Sequence, residues 1–81
     1  MITKKEYRLL YEINIGKTNL ERLKEFFSEE EIIKMLKNLE KQGLIKIELR
    51  DNEIYSFMET STGLAVLKSK EYKKWYDECG D

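Results

Sequence analysis

The sequence predicts a small, mostly helical α+β domain with three helices, a two-stranded β-hairpin and a C-terminal helix, all within one domain spanning 1–81. Three observations carry that expectation. A Ser or Thr is followed three residues later by Glu at Thr3/Glu6, Thr18/Glu21 and Ser28/Glu31, the signature of a cap whose partner reaches back to it. After Gly43 the apolar period changes from about 3.6 to 2, the change from helix to strand. Helical spacing then returns after Glu59-Thr60-Ser61-Thr62-Gly63, a turn and cap composition. Eighty-one residues suffice for one core and exclude a second folded domain.

Behind the first cap, Tyr7, Leu9, Leu10, Tyr11 and Ile13 occupy more than half of the helix circumference, so this helix is expected to be covered on two sides. Gly16 marks its end. Leu20, Leu23 and Phe26 recur at the spacing of a short second helix, and Phe27 beside Ser28 leaves almost no linker before the third. At 100° per residue, Ile32, Met35, Leu36 and Leu39 form one stripe about 100° wide that should face the core. Glu30, Lys34, Lys37 and Lys41 fall opposite it, with Glu30 spaced to pair with Lys34, while Ile33 lies at the boundary. Gly43 is the expected left-handed cap.

In the hairpin, Ile45, Ile47 and Leu49 alternate with Lys46 and Glu48, and Ile54, Ser56 and Met58 alternate with Tyr55 and Phe57. Asp51-Asn52 suits the positive φ angles of a type I′ turn, a register that sets Leu49 beside Ile54 and Lys46 beside Phe57. The final helix, over 61–79, places Leu64, Ala65, Tyr72, Trp75, Tyr76 and Cys79 in one broad stripe, with Lys70, Lys73 and Asp77 opposite.

Composition narrows the function. Lys plus Arg number 15 against 16 Asp plus Glu, a formal charge of −1, so the chain is not a globally basic nucleic-acid wrapper. Histidine is absent and Cys79 is the only cysteine, which excludes a structural zinc site and an internal disulfide and leaves no expected metal or cofactor. The longest apolar run, Leu64 to Leu67, is far short of the roughly 20 residues that cross a bilayer, so no membrane partner and a cytoplasmic location are expected. Glu29, Glu30 and Glu31 are an acidic cluster at a helix start with no histidine, nucleophile–base pair or phosphate-cradling glycine loop beside them, so no enzymatic activity is expected. They complement the helix dipole instead.

The order of elements resembles a winged helix-turn-helix domain. Leu36-Lys37-Asn38-Leu39-Glu40-Lys41-Gln42-Gly43-Leu44-Ile45 is similar to the end of the recognition helix and the first wing strand of small bacterial and archaeal regulators. Tyr55-Ser56-Phe57 with Thr60-Ser61-Thr62-Gly63-Leu64 resembles their second wing strand and entry to the last helix. The resemblance implies a helix-turn-helix over 18–42, a wing over 44–58 and a transcriptional regulator that binds double-stranded DNA by inserting the recognition helix into the major groove. Carried onto this chain, it assigns Lys34, Lys37 and Lys41 to phosphates, Glu30 to a base edge, and Lys17, Lys46 and Arg50 to the flanks of the footprint.

Large amphipathic aromatics concentrate at interfaces, so Tyr72, Trp75, Tyr76 and Cys79, with Tyr7 and Tyr11 of the first helix, are the expected homodimer contact. A contrasting expectation is a protein-interaction module that does not bind DNA and meets a partner through Glu29, Glu30, Glu31 and an exposed Ile33. Regional charge bears on the choice. Residues 1–27 carry six basic against four acidic side chains, whereas 28–42 carry three lysines against four glutamates. A DNA-facing patch must therefore come from side-chain orientation.

Overall fold

The computed structural model describes residues 2–80. Helix α1 (Lys4–Asn14) starts at the expected capping box: Thr3 Oγ1 accepts from the Glu6 N–H at 3.1 Å, and Glu6 Oε1 accepts from the Thr3 N–H at 2.9 Å. Tyr7, Leu9, Leu10 and Ile13 are all buried, which makes α1 the central helix of the core.

Helix α2 is a single turn (Leu20–Leu23), and its cap is not Thr18. Asn19 holds that position, accepting from the Arg22 N–H at 3.2 Å, while the Thr18 carbonyl accepts from the Phe57 N–H at 3.2 Å. Asn caps at least as well as Thr, and the switch frees Thr18 to lie alongside a strand. Helix α3 (Glu29–Lys41) is capped at Ser28 as expected, buries Ile32, Met35, Leu36 and Leu39, and ends at Gly43 with φ 76°.

Strands β1 (Ile45–Arg50) and β2 (Glu53–Glu59) form an antiparallel hairpin whose turn residues, Asp51 and Asn52, have the expected positive φ of 53° and 65°. Leu49 faces Ile54 as expected, but Lys46 faces Met58 and not Phe57. The register shifts between Glu48 and Leu49, leaving Tyr55 as an extra residue in β2. In a regular strand Ile54 and Phe57, three apart, would point to opposite faces. The bulge reverses the phase and brings Phe57 opposite Ile47, where it is buried.

The C-terminal segment is not one helix over 61–79. It divides into three parts: α4 (Ser61–Leu67), which packs on α1 and β2, a 3-10 turn (Lys70–Tyr72) capped by Ser69, and α5 (Lys73–Cys79), which packs on α1. A continuous helix of this length would run for about 28 Å and carry its aromatic half off the body. The break turns α5 back onto α1. Where α4 begins, the chain is tied to the end of α3: the Thr60 hydroxyl donates to Gly43 O at 2.7 Å and the Thr60 N–H to Leu44 O at 3.0 Å. Gly63 is pressed so close that a Cβ there would lie 2.0 Å from Leu44 O. Among the described residues, no helix is long and apolar enough to cross a membrane.

Candidate nucleic-acid interface

The outward face of α3 follows from its buried stripe. With Ile32, Met35, Leu36 and Leu39 fixed inward, Lys34, Lys37 and Lys41 are exposed, and they line one shallow groove with Thr3, Glu6 and Asn38. None of the three forms an ion pair among the described residues. Glu6, the acid that lines the groove with them, has both oxygens committed: one caps α1 and the other accepts from Asn38 Nδ2 at 2.5 Å. Its charge is therefore held inside the α1–α3 junction, beneath the lysines.

The acidic start of α3 is less uniform than its sequence. Glu31 closes the Ser28 cap and pairs with Lys5 Nζ at 2.7 Å, and that lysine, ahead of the Ser28 N–H, holds its carboxyl below the usual range. Glu29 and Glu30 are exposed. Glu30 does not form the pair with Lys34 that its spacing suggested, so both remain available to a ligand. Ile33 is half-buried.

Lys17, Lys46 and Arg50 do not join this groove. Lys17 Nζ lies 2.5 Å from Glu12, a carboxylate that is only 2% exposed, and 4.4 Å from the centre of the Phe26 ring. Arg8 shares the same carboxylate at 2.9 Å. Lys17 thus neutralises a buried charge. Sequence reasoning missed Glu12, although Arg8 four residues before it has the spacing of a helical ion pair; Lys17 lies beyond the end of α1 and gives no such signal. Lys46 lines a separate groove with Thr18, Glu48 and Met58, and Arg50 lies 3.6 Å over the Tyr55 ring with its Nε 3.3 Å from Glu48.

The aromatics expected between copies are engaged within the chain. Tyr7 is fully buried, its hydroxyl donates to Leu67 O at 2.6 Å, and burial pushes its pKa up to about 12. Tyr72 and Trp75 stack on each other at 5.2 Å and pack on Tyr7 at 5.4 and 5.7 Å, while Tyr76 meets Tyr11 edge-on at 5.6 Å. The Cys79 thiol is half-buried, and burial pushes its pKa up. No protein-family model, curated protein or solved structure matches this chain.

Proposed function

We propose that the chain is a winged-helix regulator that binds double-stranded DNA through α3 and acts by occupying its operator. The observation that carries this reading is the row Lys34, Lys37 and Lys41, three exposed cations on one helix face with no carboxylate partner among the described residues. Several other cations are spent internally, Lys5 on Glu31 and Arg8 and Lys17 on Glu12, while the exposed Lys46, Lys68, Lys70 and Lys74 lie off this helix face. Two features support the fold side of the reading. The elements follow one another in the order the resemblance implies, and the Phe57 N–H to Thr18 O bond fastens the hairpin to the segment before α2.

The three lysines serve phosphates, which supply most of the affinity, and Glu30, unpaired one turn before Lys34, is placed to accept from a cytosine N4 amine. Lys17 and Arg50 contribute no free charge. Fluorescence anisotropy on mixed duplex DNA across a salt series tests the proposal. Binding that neutralises about three phosphates per chain gives a log–log slope of about −3 per chain, and Lys34→Ala with Lys37→Ala flattens it by about 2. A folded protein that does not bind duplex DNA at low salt overturns it.

A further inference from the structure

Three of the six large apolar side chains left exposed among the described residues, Leu49, Tyr55 and Met58, lie on the hairpin. Its β1 strand also has an open edge. Backbone phase shows which groups occupy that edge. In an antiparallel pair, each residue turns its N–H and C=O to the same side, and neighbours alternate. The Phe57 N–H points away from β1, to Thr18 O, so its partner Ile47 must point its own polar groups away from β2. The same phase puts the Leu49 N–H and C=O on the open edge, whereas Lys46, Glu48 and Arg50 face β2. Leu44 O, bonded to the Thr60 N–H, confirms the alternation from the other end.

Open edges are ordinarily blunted by a bulge, a proline or an inward charge. Here the bulge lies in β2, the chain has no proline, and β1 is left regular. Toward its start the edge is covered by the chain itself, since Ile45 is 2% exposed; toward the tip it is open, with Leu49 at 59%. We propose that two copies of this chain pair antiparallel through the open edge of β1, about a twofold axis at Leu49.

That register is self-complementary. Leu49 meets Leu49 of the second copy in a hydrogen-bonded pair, which covers both exposed side chains. Glu48 stands opposite the second copy's Arg50, and Arg50 opposite its Glu48, so each carboxylate gains a cation across the axis. A register one residue away along β1 would set Glu48 against Glu48 or Arg50 against Arg50. The pairing does not depend on what α3 binds.

Sedimentation of the wild-type chain should show a reversible dimer. In a Cys79→Ser background, Leu49→Cys should form an interchain disulfide with oxidised glutathione, because facing residues of a hydrogen-bonded pair lie about 5.5 Å apart at Cα. Ile47→Cys should not, because its two copies stand about 13 Å apart along the strands. Glu48→Arg should weaken the dimer about tenfold, and Glu48→Arg with Arg50→Glu should restore it. A wild-type chain that stays monomeric overturns the proposal. So does a dimer that Ile47→Cys links as readily as Leu49→Cys, or that Leu49→Cys does not link.

Discussion

The C-terminal aromatic segment and the hairpin spend the same kind of residue in opposite ways. Tyr72 and Trp75 lie in a segment that the sequence reads as an outward-facing stripe, yet they close over Tyr7, whose ring is wholly buried. In the hairpin, Ile45 and Phe57 are drawn fully into the core, while Leu49, Tyr55 and Met58 stay in solvent. The difference lies in the connections. A break at Ser69 folds α5 back onto α1, whereas the two-residue turn at Asp51-Asn52 sends the hairpin tip outward, where Leu49 and Tyr55 stay exposed. Apolar pattern sets which side chains seek cover, and chain reversal decides whether the chain supplies it.

The two regions meet at Gly63, so the most disruptive way to break the comparison is to fill that contact. A methyl group at 2.0 Å from Leu44 O cannot be accommodated by a side-chain rotation, because the obstacle is backbone. Gly63→Ala must push α4 away from Leu44, straining the Thr60 bonds that join α3 to the hairpin's exit. The expected cost is about 3 kcal/mol, at the upper end for overpacking, and urea denaturation followed by circular dichroism reads it as a lower midpoint. The same substitution at Gly80, whose nearest neighbour is 3.7 Å away, should change the midpoint little.

A smaller effect isolates the aromatic side. Tyr7→Phe keeps the ring against Tyr72 and Trp75 but removes the donor to Leu67 O at 2.6 Å, for an expected loss of about 1–2 kcal/mol at neutral pH. The pH dependence has a definite sign. Because burial raises the folded-state pKa from 10.0 to about 12, an unfolded chain releases the Tyr7 proton first, and stability falls as pH rises between those values. Below pH 10 the contribution is fully present. Denaturation midpoints of the wild type and Tyr7→Phe should therefore converge as pH approaches 12; parallel curves would show that the hydroxyl does not titrate in the fold.

Much of this arrangement was legible. Helical wheels placed the α3 lysines outward because a stripe of four apolar residues leaves little freedom in a helix of this length, and the capping boxes at Thr3 and Ser28 depend only on neighbours three residues away. The misreadings all involve tertiary competition. Thr18 and Asn19 both make acceptable caps, and the choice went to Asn19 because β2 needed the Thr18 carbonyl. Tyr55 becomes a bulge because Ile54 and Phe57 must share a face, a demand made by the core and invisible to a strict period of two. Nothing in Lys68-Ser69 is a strong helix breaker; the pull of Tyr7 on Tyr72 and Trp75 supplies the reason to bend there. Lys17 reads as a free cation until Glu12 is known to be buried.

The weakest perturbation sharpens the comparison most. Met58 is 60% exposed on the outer face of β2, opposite Lys46, and Leu49 is about equally exposed at 59%. Exposure alone would make them equivalent, and scattered exposed apolar residues need no explanation. Their backbones differ: Leu49 lies on the open edge of β1, whereas Met58 belongs to the strand held between β1 and Thr18. Met58→Ser and Leu49→Ser should each shift monomer stability by no more than about 0.5 kcal/mol, since neither side chain is packed. Only Leu49→Ser should weaken self-association in sedimentation, because it strips the apolar pair from the twofold axis. If Met58→Ser weakens it equally, the exposed faces of the hairpin, and not its edge, hold the copies together.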